Sequence, residues 1–413
     1  MGLIEGVGRT RYRDDVDNRN AFPLDDKIGL QIIGENRSRY TSVFAQNAAL
    51  LYAELTEESA VETLNQLLFI DIEKASLSQI GQAVSLRYAL PPIEAEPYSD
   101  LLAQAKAAMH EAGESCESGN REGFLAQRLD SLDADPDRDS IIKAAINGSL
   151  EGVESGKPTK SVLYVLTDGT GVPGLAKELS PEGKNGDNAK TFEAKIGCSF
   201  RQEFSEEGLP VLKNGDIERV PDTTKYIGTT GKIDIFRPLF ANFLALQGFL
   251  NACQIVFLGD GAPWIWKLQQ LLCPNAICII DFFHATENLN KIVDMLRING
   301  SKREAFRREC HHLLELGEVA LLGSRIIGMA SPSNKEEIEK KLAYFTDNAD
   351  KMRYGLFRAA GLFIGSGVVE AACKTIVGKR MKNAGMHWSK KNAEGVIALR
   401  CAIHSDEYGS VAA

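Results

Sequence analysis

No Cys-x-x-Cys pair occurs in this chain of 413 residues; its eight cysteines are scattered at 116, 198, 253, 273, 278, 310, 373 and 401. That spacing excludes a disulfide framework and a structural zinc knuckle, and it favours a reducing cytoplasm. An apolar run clean enough to span a membrane is also lacking, since the longest, Pro238 to Gly259, is broken by Asn242, Gln247, Asn251 and Gln254. It reads instead as a buried helix followed by a strand. The opening residues, MGLIEGVGRTRYRDDVD, hold no signal-peptide core. Positive charge is not in excess: the formal net charge of −9 excludes a uniformly basic nucleic-acid coat and confines any such contact to a local patch. Apolar content of 44% and charged content of 25% exclude a disordered or fibrous chain, and the length allows two or three domains.

What is present centres on three apolar runs that each stop on an aspartate: VLYVLTD at Asp168, IVFLGD at Asp260 and AICIID at Asp281. Between the last two, Pro263 suits a first helical turn, and Trp264, Ile265, Leu268, Leu271 and Leu272 recur at helical spacing. The unit therefore predicts strand, helix, strand, a right-handed crossover between parallel strands. Ligands gather at the carboxyl ends of such strands. Helix capping or Asp-Gly turn chemistry is the alternative for any one of the three. Three alike point to a metal site, because adjacent carboxylates repel unless they are protonated or share a hard cation.

Around this centre the chain divides into three parts. Residues 1–95 predict a small helical domain: a helix over 37–55, a second capped by Thr56, and a third opened by the capping box Ser76-x-x-Gln79, a trio that resembles a helix-turn-helix. Residues 96–160, acidic and broken by Gly, Ser and Pro, predict a helical connector. Residues 161–405 predict an α/β domain. In it KTFEAKIGCSFRQEF suits an antiparallel edge, Phe236 to Phe249 a helix, and about 285–360 an all-helical insertion. Ser366 is a plausible cap for the helix carrying Glu370. Between Glu370 and Glu394 lie Lys374, Lys379, Arg380, Lys382, Lys390 and Lys391 and no acid, so the positive charge missing elsewhere is concentrated here.

Four long motifs, LTDGTGVP around Asp168, FLGDGAPWIW around Asp260, IIDFFHATENL around Asp281 and His284, and GLFIGSGVVEAACKTIVGKRMKNAGMHWS around Glu370, give the chain a resemblance to a family. It resembles the DDE-type transposases of bacterial insertion sequences, specifically the ISKra group, distantly related to Mutator-like enzymes. The resemblance is strong over about Ser161 to Arg400 and loose over the first 90 residues. It implies a ribonuclease-H-like mixed sheet interrupted by the helical insertion, with Asp168, Asp260 and Glu370 as catalytic residues holding two Mg²⁺ or Mn²⁺ ions for in-line phosphoryl transfer. Asp281-x-x-His284 matches the Asp-x-x-His signature of Mutator-like relatives, which implies a supporting or DNA-strand contact near the metals. Lys374, Lys379, Arg380, Lys382 and Lys390 would be contacts to the DNA backbone. The implied partners are transposon ends and target DNA, bound by a homo-oligomer in a prokaryotic cytoplasm, with no membrane. One departure stands out: where the family carries a Cys-x-x-Cys pair before Pro-Leu-Asp, this chain has RYRDDVDNRNAFPLDD. A domesticated or decayed copy that only binds DNA is therefore the alternative. A hydrolase acting on a small substrate would leave the basic segment without a purpose.

Overall fold

A fifteen-residue β-strand runs through the middle of the sheet and determines where everything else sits. In the computed structural model the described residues are 42–68, 72–86, 88, 124–134, 159–179, 190–205 and, apart from 206, 214–215, 250–251 and 253, 207–408, together with four short strand segments before residue 42. Those segments are β1 (Tyr12–Arg13), β2 (Asn20–Ala21), β3 (Leu30–Ile33) and β4 (Ser38–Thr41), paired β1 with β2 and β3 with β4. Helices α1 (Ser42–Glu54), α2 (Glu57–Leu68), α3 (Lys74–Ser85) and α4 (Phe124–Ala134) follow. Most of the predicted connector, and the segment expected to hold the family's cysteines, lie outside the described residues.

The sheet comprises β5 (Thr159–Pro173), β6 (Thr191–Ser205), β9 (Lys225–Thr229), β10 (Gln254–Gly259) and β11 (Ile277–Ile280), in the order β11-β10-β5-β6-β9. The two-residue strands β7 (Leu212–Lys213) and β8 (Asp216–Ile217) form a separate hairpin. Strands β10 and β11 run parallel to β5, and β6 and β9 continue the sheet antiparallel. This is a mixed α/β fold. Its two faces follow from strand alternation. Leu163, Val165, Ile255 and Phe257 point to one side, against α5 (Ile233–Leu246) and α6 (Pro263–Leu272) through Phe236, Phe240, Ile265 and Leu268. Tyr164, Leu166, Val256, Leu258 and Ile279 point to the other.

The second face is covered by helices from late in the chain. After α7 (Phe282–Met295), α8 (Gly300–Leu316), α9 (Val319–Met329), α10 (Lys335–Thr346) and α11 (Tyr354–Ala359) comes α12 (Gly367–Ala372), which runs into a π-helical turn over Cys373–Gly378, then α13 (Lys379–Met381) and α14 (Lys390–His404). Val369, Ala372, Cys373, Ile376, Val396 and Ile397 join the strand side chains in one buried cluster, which also includes Ala48, Tyr52 and Leu77 of α1 and α3. The helices expected over about 285–360 are observed as α7 to α11. No described helix is long and apolar enough to cross a membrane.

Several expectations need correction. The first strand does not stop at Asp168: it continues to Pro173, because TDGTGVP pairs residue by residue with TFEAKIG of β6. KTFEAKIGCSFRQEF is not an edge, since β9, unforeseen in the sequence, pairs on its far side. The capping box at Ser76 lies inside α3, whose N-cap is Glu73. The helix expected over 37–55 begins at Ser42, and 38–41 is strand. The helix expected from Phe236 starts three residues earlier, at Ile233.

Candidate active site

Register alone brings the three aspartates level. Leu258 pairs with Leu166 on one side and Ile279 on the other, so two residues further along each strand stand Asp260, Asp168 and Asp281. Alternation aims them to the same face as Leu166, Leu258 and Ile279, the face on which α12 packs. Pairing continues past the strand ends, with the Asp281 N–H donating to the Gly259 carbonyl at 2.8 Å. After Asp260 the chain turns at Gly261 (φ +89°), where a Cβ would meet the Tyr344 ring of α10 at 2.6 Å.

Asp281 is fully buried and both of its carboxylate oxygens are committed. One accepts from the His284 backbone N–H at 2.7 Å and lies 3.1 Å from His284 Nδ1; the other accepts from the Ser366 N–H. Burial would raise this carboxyl, but hydrogen bonds from His284 and Ser366 win and hold it below its ordinary value. His284 is the converse. The bond to Asp281, with Glu370 and Asp260 nearby, lifts the imidazole to about 9 against its partial burial. At neutral pH it is therefore an imidazolium. Asp281 both caps α7 and holds the His284 ring.

Glu370 stands in the first turn of α12. Its Oε1 accepts from Ser366 Oγ at 2.8 Å and lies 3.7 Å from His284 Nδ1; its Oε2 lies 3.9 Å from Lys374 Nζ. Ser366 is the N-cap residue, yet its hydroxyl holds Glu370 instead of a backbone N–H. Asp168 is pushed above its ordinary value, first by burial and then by the neighbouring charge of Asp260, while the Gly169 N–H and the Cys373 thiol donate to it. That thiol is itself pushed well up by burial and by Asp168. Asp168 also senses His284, and His284 senses Asp260 and Glu370. Residues far apart in sequence thus converge on one imidazolium.

No protein-family model matches this chain, and no curated protein matches it either. The site must therefore be judged on its chemistry. Asp281, His284 and Glu370 offer ligand atoms within 4.8 Å of one another. Both Asp281 oxygens already accept hydrogen bonds, so that trio is arranged as a hydrogen-bonded clamp. Asp168, Asp260 and Glu370 remain as oxygen donors. Asp168 and Asp260, close enough for one charge to raise the other carboxyl and each with one oxygen held by a backbone N–H, suit a shared hard divalent cation, but the ligand atoms of Asp168, Asp260 and Glu370 do not all lie within 4.8 Å of one another.

The basic segment divides. Lys374, Lys379, Lys382, Lys390 and Lys391 are exposed. Lys382 donates to Thr170 Oγ1 at 2.6 Å, two residues along β5 from Asp168, and Lys390 lies 6.0 Å from the Phe192 ring centroid. Arg380 does not belong with them. It is 2% exposed, lies against the rings of Tyr52 and Trp388, and donates to the Tyr52 carbonyl at 3.0 Å, so it cannot reach DNA from this position. Ser366 and Cys373 were missed as site residues; Cys373 lies three positions after Glu370, a spacing that shares a helix face. Trp264 and Trp266 are half-buried beside the second cluster, as their helical spacing suggests.

Proposed function

We propose that the chain is a DDE-type transposase, similar to the ISKra group, that cuts and rejoins DNA on a ribonuclease-H-like sheet. The observation that carries the reading is the register that levels Asp168 with Asp260 on the face covered by the Glu370 helix. A central strand with one antiparallel neighbour, β6, and parallel strands β10 and β11 on its other side is also what a ribonuclease-H-like sheet requires, and it supports the same reading. Two Mg²⁺ or Mn²⁺ ions held by Asp168, Asp260 and Glu370 would activate a water or 3′-hydroxyl and stabilise the leaving oxygen of an in-line displacement.

The chain's own side chains supply the rest. Asp281 holds His284 charged and in place, so the imidazolium can face a phosphate oxygen while its other contact restrains Glu370. Ser366 fixes the Glu370 carboxylate from below. Lys374, Lys379, Lys382 and Lys390 would neutralise phosphates along the strand, a contact that positions DNA without reading its sequence.

The direct test incubates the full chain with its own flanking DNA in Mg²⁺ or Mn²⁺. Strand cleavage at the element ends, abolished by Asp168→Asn, is the expected result. Binding without cleavage would favour the decayed, DNA-binding copy. Neither binding nor cleavage would overturn the reading.

A further inference from the structure

We propose that Phe283 is a platform on which an unpaired base of the bound strand stacks, a role that rests on the DNA-cleaving reading above. Every other phenylalanine whose side chain is described is buried or half-buried, whereas Phe283 is 63% exposed. It lies between Asp281 and His284, in the first turn of α7. Its neighbour Phe282 shows what an ordinary aromatic does here: that ring turns inward, edge-on to Tyr354 at 5.0 Å and under the Arg358 guanidinium at 5.1 Å. Consecutive helical positions face different ways, so Phe283 is left at the rim.

The rim is shaped around this ring. A Cβ at Gly365 would lie 3.2 Å from Phe283 Cε2 and 3.9 Å from Asp281 Oδ2, so the bare backbone there lets the ring lie close over the buried carboxylate. Among the described residues the remaining exposed large apolar side chains are not aromatic, Leu246, Leu271 and Leu321 among them. An outward flat ring next to His284, at the rim of the carboxylate cluster, offers single-stranded nucleic acid a face for a base. Stacking of this kind tolerates any base, because each has a π-face. A frayed or staggered strand end would present such an unpaired base.

The experiment measures affinity of the full chain, with Glu370→Gln preventing turnover, for a DNA duplex ending in an unpaired 2-aminopurine and for the fully paired duplex. Changing Phe283 to Ala should weaken binding of the first roughly five- to a hundred-fold and leave the second unchanged. Phe283→Trp should restore affinity and quench the 2-aminopurine; Phe283→Leu, apolar but without a π-face, should not. Leu matching Phe, or an equal loss on both duplexes, would overturn the stacking role. A wild-type chain that cleaves DNA while Phe283→Ala binds normally would overturn stacking alone, whereas absence of any DNA binding by the wild type would overturn the underlying reading too.

Discussion

Arg400 offers the sharpest quantitative test of how the chain is assembled. It is 1% exposed, and its guanidinium donates to three backbone carbonyls: Nε to Ile376 at 2.8 Å, Nη2 to Thr375 at 2.8 Å and Nη1 to Ala53 at 2.7 Å. Two of these belong to the π-helical turn that follows Glu370 and the third to the end of α1, so one side chain ties the N-terminal helices to the segment that carries Glu370. Arg400→Met keeps much of the volume and removes all three bonds. Charged hydrogen bonds contribute about 1.5–3 kcal/mol each, but such losses are not additive; breaking a buried charged cluster typically destabilises by about 3–5 kcal/mol. The Glu54 contact at 2.8 Å adds little to this, because Glu54 is 36% exposed and screened by water. At roughly 2 °C per kcal/mol for a large domain, the melting temperature should fall by about 6–10 °C. Arg400→Lys should not rescue it, since a single ammonium cannot present the same fork. Urea and thermal denaturation of the full chain provide the assay. A destabilisation under ~1 kcal/mol would refute the clamp.

The same clamp bears on truncation: a fragment beginning near Val153 leaves Arg380 and Arg400 without the Tyr52 and Ala53 carbonyls, so it should melt below the full chain, and equal stability would show the first helices to be dispensable. The His284–Asp281 pair gives a pH signature in chelator. His284 is raised from 6.5 to about 9, so its stabilisation is complete below about 6.5 and lost as pH rises through about 9. Asp281 is lowered from 3.8, so its share is present above that value and lost as pH falls through its folded value. Denaturation midpoints should therefore fall between about pH 6.5 and 9.5 in the wild type more than in His284→Ala, and equal falls would refute the pair. Replacing Lys379 and Lys382 by Ala should reduce the salt slope of DNA binding by about 2, near 0.9 for each phosphate no longer neutralised; an unchanged slope would show a merely solvated face.

The strands β10 and β11 and the helix between them were legible because a buried parallel sheet demands unbroken apolar runs, and Pro263 marks the helix start. Asp168, Asp260 and Asp281 were legible as run-ends for the same reason. Less legible was anything set by pairing. TDGTGVP looks like a turn, with four turn-forming residues, yet β6 holds it extended; β9 is five residues containing a glycine and gains its order from β6 and α14. Composition also misled at Arg380. A run of cations without acids reads as one exposed face, but successive positions of α13 face different ways, so that the Arg380 guanidinium meets Tyr52 and Trp388. The partner residues lie over three hundred positions away or in the next segment, and no local pattern carries that contact. Ser366 and Cys373 were hidden likewise, since their roles depend on which carboxylates the fold brings to them.

The central claim is that Asp168, Asp260 and Glu370 form one cation-binding site, with Asp281 and His284 as its support. Cleavage and DNA binding by Glu370→Gln, measured side by side in Mg²⁺, test it most directly. This change keeps the volume and the Ser366 hydrogen bond but removes the charge. Cleavage should be abolished while binding is retained, because the exposed lysines that would neutralise the DNA backbone are untouched. Near-normal cleavage would contradict it, and would mean that Asp281, despite its committed oxygens, completes the site.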